Sequence, residues 1–300
     1  MVAAANPHAA RAGQQILRAG GSAVDAAVAM ALVLTLVEPQ SSGIGGGAFM
    51  LHYQADNRSV QAYDGRETAP ALADGRMFLD PRGKPRRFMD AVVGGLSVGV
   101  PGELRMLELA HRQHGKLPWK QLFAPAITLA RKGFAVSPRL HKLLTSASRL
   151  RSMPAAARYF YDPRGNAKPV GSNLKNRTLA KLLQRLADGG ADAFYRGDIA
   201  RDIADKASGA TRNPGRLRPT DLATYRAVKR RALCRPYRSF EICGMPPPTS
   251  GGITTLQILG MLERFDLKPA NVFSSDTVPL VTEASRLAFA DRGRYIADSD

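Results

Sequence analysis

The stretch from Ser22 to Val37 constrains this chain most. Gly20-Gly21 ends a preceding helix, Ser22 offers an N-cap, and Pro39 marks the far limit of the run. Between them nearly every residue is apolar. A helix that is apolar on most sides has to lie deep in a core. The run Ala26 to Val37 is too short to span a bilayer, so its surroundings must be protein. The remaining elements have to be layered around it.

Those elements are mixed. Helical periodicity runs over 7–20, with Ile16 and Leu17 facing inward. Two alternating runs, 48–54 and 59–64, flank Ala55-Asp56-Asn57-Arg58 and predict a β-hairpin. The segment 92–100 reads as extended, and Pro101 can open a helix carrying Leu104, Leu107 and Leu109. Further helices are predicted over 119–131, 138–150, 176–187 and 191–207, with 154–172 a polar Pro- and Gly-containing loop. Strands are expected over 226–233 and 239–243. The stiff run Pro246-Pro247-Pro248-Thr249-Ser250-Gly251-Gly252 then feeds a helix over 253–265, and a last helix covers about 276–295. Strands and helices do not alternate regularly, so the class is α+β or a layered arrangement, not a doubly wound sheet.

Hydrophobic residues make up 44% of the chain and charged ones 23%, which excludes general disorder. The net charge of +18 is concentrated. From Arg139 to Arg238 there are 23 Lys or Arg against 7 Asp or Glu. These cations are scattered through amphipathic helices without interleaved aromatics or a nucleic-acid motif, so a solvated basic face is expected, or one that meets an acidic partner chain. No nucleic acid and no membrane is expected as a partner. Two cysteines exclude a disulfide-rich scaffold. Cys234 and Cys243 flank a turn and can face each other across a hairpin, yet two unpaired thiols are the expectation. Arg231, Arg235 and Arg238 would lower the Cys234 pKa, but its place within a strand favours a structural role. Met1-Val2-Ala3 begins without a basic region followed by an apolar one, so no signal peptide is read here.

The cluster Gly43-Ile44-Gly45-Gly46-Gly47 does not suit a phosphate loop. A dinucleotide turn lies between a strand and a following helix, whereas here the helix precedes and the strand follows. Its glycines allow close approach of backbone to a neighbour or a small ligand. His111 and His114 sit three apart on one helix without a third ligand, so they read as exposed polar residues and no metal site is expected. No Gly-x-Ser-x-Gly elbow or serine triad is present. Arg66 remains. Just past the hairpin, in Tyr63-Asp64-Gly65-Arg66-Glu67-Thr68-Ala69-Pro70, it has the side chain best shaped to grip a carboxylate. By spacing alone it reads more readily as a surface ion-pair partner of Glu67.

Taken together, five segments resemble the γ-glutamyltransferase (γ-glutamyl transpeptidase) family. They are Ala19-Gly20-Gly21-Ser22-Ala23-Val24-Asp25-Ala26-Ala27-Val28-Ala29, Gly43 to Leu51, Arg66-Glu67-Thr68-Ala69-Pro70, Gly99-Val100-Pro101-Gly102, and Met245 to Gly252. Ala288-Phe289-Ala290-Asp291-Arg292 also fits. The matches keep the family's order and span essentially the whole chain. The resemblance implies part of a four-layer αββα N-terminal nucleophile hydrolase, made as one precursor that cuts itself in two. Residues 1–300 would be one domain, a partial large-subunit region. The implied chemistry is attack by a new N-terminal threonine on the γ-glutamyl amide of glutathione, with water or an amino acid taking the acyl group. Relatives acting as β-lactam side-chain acylases are the alternative, and a basic non-catalytic binding module is a third reading. Arg66 stands where the family's arginine binds the substrate α-carboxylate, and Glu67 where it can orient that guanidinium. No threonine here has the nucleophile's setting before Asp298-Ser299-Asp300, so no catalytic residue is assigned and the chain alone is expected to be inactive. The implied partners are a γ-glutamyl substrate and the small subunit of the same precursor. No cofactor is implied, and the implied localisation is periplasmic or secreted.

Overall fold

The computed structural model describes residues 1–267 and 274–298, so Ser299 and Asp300 lie outside the described residues. The chain opens with α1 (Pro7–Arg18), α2 (Ala23–Val37), β1 (Ala48–Gln54), β2 (Ser59–Gly65), α3 (Phe88–Val92) and α4 (Glu103–His114). Next come α5 (Trp119–Leu122), α6 (Ala124–Lys132), β3 (Phe134–Ala135), α7 (Pro138–Ser146), α8 (Ser148–Arg151), α9 (Pro154–Phe160) and β4 (Asn173–Leu174). After these lie α10 (Arg177–Gly189), α11 (Asp192–Tyr195), α12 (Gly197–Ser208), α13 (Pro219–Thr224) and β5 (Val228–Arg231). The chain continues with β6 (Leu233–Tyr237), β7 (Phe240–Gly244), α14 (Gly251–Leu262) and α15 (Thr277–Tyr295). Contacts divide these elements into two compact units.

The first unit comprises Met1–Gly47 and Glu67–Arg226. At its centre lies α2, with α1, α4, α5 and α6 packed on it. Val28, Ala29 and Leu32 are wholly buried there, as are Leu104, Leu122 and Phe123 on the surrounding helices. The N-terminus of α2 is built as a reciprocal cap. Asp25 N donates to Ser22 Oγ at 3.1 Å, and Ser22 N donates to Asp25 Oδ2 at 2.8 Å. The same buried Oδ2 accepts from Lys116 N (2.9 Å) and Leu117 N (3.1 Å), which joins the cap to the loop after α4. Four backbone donors are thereby satisfied around one carboxylate or its hydroxyl partner.

Several sequence expectations need correction in this unit. His111 is not an exposed polar residue: its Nε2 lies 2.9 Å from Leu117 O and 3.5 Å from Asp25 Oδ1, and its ring packs 5.2 Å from Trp119. His114 is likewise only half-exposed. The segment 92–100 forms no strand, only an isolated bridge between Thr68 and Val100. It is drawn instead against 207–215. A Cβ on Gly95 would fall 1.8 Å from Ala207 O, and Leu96 N donates to Asn213 O at 2.7 Å. The 154–172 loop contains α9, because Pro154 opens a run of three alanines that are strong helix formers. The helices expected over 119–131 and 191–207 are each broken. The breaks fall at Phe123, ahead of Pro125, and at Arg196, whose extended backbone separates α11 from α12.

The second unit comprises Ala48–Arg66 and Ala227–Asp300. Its antiparallel sheet has the order β1-β2-β5, so the hairpin gains a third strand from far along the chain. Ala62, Ala232 and Met245 form a small core, with Phe49 and Val60 against it. β6 and β7 make a second hairpin, on which α14 packs, and α15 packs on α14. The expected free thiols are corrected here. Cys234 and Cys243 are directly opposed in the β6–β7 register, with Cα atoms 4.1 Å apart, and form a disulfide. The motif glycine Gly252 is required at the start of α14, since a Cβ there would lie 2.3 Å from Met245 O. Arg292 Nε donates to Ser250 Oγ at 3.0 Å, and Gln257 Nε2 donates to Asp291 Oδ2 at 3.2 Å. The two C-terminal motifs thus meet across α14 and α15.

Candidate functional site

Arg66 is exposed and follows β2 directly. Its backbone is held by Asp64, whose Oδ1 accepts from Arg66 N at 2.8 Å. The other oxygen of Asp64 accepts from Arg230 Nε of β5 at 2.7 Å, and both side chains are mostly buried. One carboxylate therefore turns the chain at the strand end and ties that turn to the neighbouring strand. This arrangement fixes the backbone from which the Arg66 guanidinium projects. Asp64 is a site residue that sequence reasoning missed. Its signal was the Asp-Gly-Arg order, because an aspartate commonly accepts from the N–H two residues on.

The glycine turn belongs to the first unit, as do Glu67 and the residues after it. Gly46 N donates to Gly43 O at 2.9 Å, closing the turn. Gly46 O then accepts from Gly102 N (2.9 Å) and Glu103 N (3.0 Å) at the start of α4. Glu67 passes close to two glycines. A Cβ on Gly46 would lie 3.4 Å from Glu67 Oε1, and one on Gly99 would lie 3.2 Å from Glu67 Cβ. Thr68 and Val100 pair through Val100 N to Thr68 O at 2.9 Å. The matched segments 43–47, 67–70 and 99–102 are therefore packed together, which their separation in sequence did not reveal.

Glu103 lies at the centre of this packing and is 4% exposed. Burial pushes its carboxyl up to about 7; a hydrogen bond from the Gly43 backbone opposes that rise, and the nearby Glu67 adds to it. Beside the 68–71 segment a cavity of about 260 Å³ is lined by Thr68, Ala69, Val100, Asp221 and Tyr225, among others. Asp221 Oδ1 accepts from Ala71 N at 3.2 Å, fixing that wall.

Among the described residues the cluster sized for a metal ion is Cys234, Glu241 and Cys243. Its two sulfurs are joined as a disulfide and offer no thiolates. No described helix is long and apolar enough to cross a membrane. Part of the basic excess is paired within the chain, as in Arg185–Asp198, Arg212–Asp90 and Arg216–Asp74.

The family model described as gamma-glutamyltranspeptidase matches residues 9–300. The glutathione hydrolase proenzyme of Escherichia coli is 38% identical over 301 residues, covering 100% of this chain and 51% of that protein. The acylase ACY 1 proenzyme of a Pseudomonas strain is 39% identical over 304 residues, covering 99% and 54%. The crystal structure of Helicobacter pylori gamma-glutamyltranspeptidase superposes with a TM-score of 0.94 at 34% identity, covering 99% of this chain and 84% of that one. The chain spans about half the length of the curated relatives it matches. Its mixed helix-and-sheet structure is part of the N-terminal nucleophile hydrolase fold of these neighbours.

Proposed function

The chain belongs to the γ-glutamyltranspeptidase family, and from that premise we propose that the protein carrying it cleaves γ-glutamyl amides such as glutathione. In this reading a threonine nucleophile, in the half of the relatives that this chain does not span, takes the γ-glutamyl group as an ester. Water or an amino acid then receives it. Residues 1–300 supply binding, not chemistry, and are inactive without the small subunit of the same precursor.

The observation that carries the reading is the seating of Arg66. Asp64 and Arg230 hold the backbone of an exposed arginine at a strand end, and a guanidinium so placed can meet an α-carboxylate with two parallel hydrogen bonds. Glu67 follows it in the chain, where it would orient the guanidinium. The Cys234–Cys243 disulfide supports a periplasmic or secreted location, since such bonds persist in oxidising compartments.

In the complete protein, Arg66→Ala raises KM for γ-glutamyl-p-nitroanilide on the order of a hundredfold, because two charge-assisted hydrogen bonds are together worth about 3 kcal/mol. The urea unfolding midpoint stays where it was. An unaltered KM removes Arg66 from the binding site. The acylase relative favours a second reading, an amidohydrolase of side-chain amides. Parallel assays on γ-glutamyl-p-nitroanilide and a glutaryl amide decide between the two.

A further inference from the structure

In the first unit α1 and α6 both pack on α2, and the furrow between them holds a cavity of about 370 Å³. Its floor is apolar, built from the buried Ala12 of α1 and Val33 of α2. Its rims are polar. His8, Arg11 and Gln15 line it from α1, and Thr128 and Lys132 from α6. Residues three or four apart share one helix face, so 8, 11 and 15 form one row and 128 and 132 the other.

Three of these five side chains are basic, and among the described residues no carboxylate lines the cavity. Elsewhere in this unit exposed arginines are paired, as Arg185 is with Asp198 and Arg212 with Asp90. Among the described residues Arg11 and Lys132 have no such ion pair. His8 registers the imbalance: burial lowers its pKa, and the charge of Arg11 lowers it further. The end of α1 is itself closed, since Asn6 Oδ1 accepts from His8 N at 3.0 Å. The positive potential therefore comes from side chains.

We propose that this furrow is a binding site for a small organic dianion, two carboxylate or phosphate groups on a short apolar body. Arg11 and Lys132 take the two acidic groups from opposite rims, and Gln15 and Thr128 add amide and hydroxyl hydrogen bonds. The apolar body covers Ala12 and Val33. The volume suits such a molecule, since small-ligand cavities begin at about 300 Å³. A bare inorganic anion would meet the cations and leave the floor wet, so the floor selects an organic ligand. The bound charge also offsets the repulsion between Arg11 and His8. Occupancy requires neither Arg66 nor γ-glutamyl cleavage.

The test titrates the complete protein with isophthalate, two carboxylates on a benzene ring, and reads binding by calorimetry at moderate salt. Isophthalate binds with a Kd on the order of 1 mM or below, and inorganic phosphate at least about tenfold more weakly. Arg11→Gln and Lys132→Gln each weaken isophthalate about tenfold, the size of one lost charge-assisted contact. Both positions are exposed, so the fold is kept, and unchanged urea midpoints verify it. Thr128→Phe, also at an exposed position, fills the furrow and removes binding without altering either charge. Lys142→Gln on α7, outside the cavity lining, leaves the Kd unchanged, as does Arg66→Ala.

The His8 ring gives a local reading. Arg11 and Lys132 are the charged groups that line the furrow with it, and from α2 only Val33 does so among the described residues. A dianion bound between them raises the His8 pKa, followed by NMR. The proposal is overturned if isophthalate does not bind, or binds no tighter than phosphate. It is overturned equally if Arg11→Gln binds as the wild type does, if binding is lost in Arg66→Ala instead, or if the His8 pKa stays where it was.

Discussion

Two predominantly apolar helices meet opposite fates in this molecule. Both α2 and α14 are apolar on most sides. Nine residues of α2 are buried, from Val24 to Val37, because α1, α4, α5 and α6 close around it. In α14 only Thr254 and Leu262 are buried, although β6, β7 and α15 pack on it. The α15 helix beside it leaves Val278, Val281, Leu287 and Phe289 exposed. Hydrophobicity states that a helix must be covered, but not by what. The chain spans about half of its curated relatives, and the large apolar side chains left exposed beside α14 lie on α15.

The comparison can be broken by substitution. Leu32→Ala on α2 removes a side chain with no exposed surface and costs about 2–5 kcal/mol of unfolding free energy by urea denaturation of the complete protein. A cost below about 1 kcal/mol would show that α2 is not the centre of the first unit. The second unit relies more on covalent closure. Cys234→Ser, which opens a disulfide between residues nine apart, costs about 2–3 kcal/mol by the loop-entropy relation. Reducing agent lowers the wild-type midpoint equally and leaves the variant unmoved. The smallest effect is expected on α14. Leu259→Ala costs less than about 1 kcal/mol in the 300-residue chain, where the residue is half-exposed, and more in the complete protein if further chain covers it. Equal costs in both would assign α14 a finished surface.

What could be read without coordinates depends on how far each interaction reaches. The Ser22 cap, the end of α2 before Pro39 and the β1–β2 hairpin all depend on residues within a few positions, and each stands close to its expected bounds. The extended reading of 92–100 failed because Gly94 and Gly95 answer to the backbone of 207–215, not to a neighbouring strand. Arg66 was legible as a candidate by residue type and by resemblance. The residues that seat it were not: Asp64 works through Arg230, 166 positions away. Glu103 is silent for the same reason, since a glutamate at a helix start looks like an ordinary first-turn acid until its burial on the Gly43 backbone is known.

By itself, the sequence determined which helix must be central, where the hairpin turns, and the ordered segments that mark the family. These are matters of local propensity and patterning, settled within a turn or two of chain. Only the tertiary structure decided that Cys234 and Cys243 pair, that β5 completes the sheet beside Arg66, and that Glu103 is buried on the Gly43 backbone. Each of those depends on register and packing between segments far apart in the chain, where solvent is excluded and electrostatic interactions strengthen. The central helix was a requirement of the sequence, and its coverage, like the sparse coverage of α14, was an outcome of the fold.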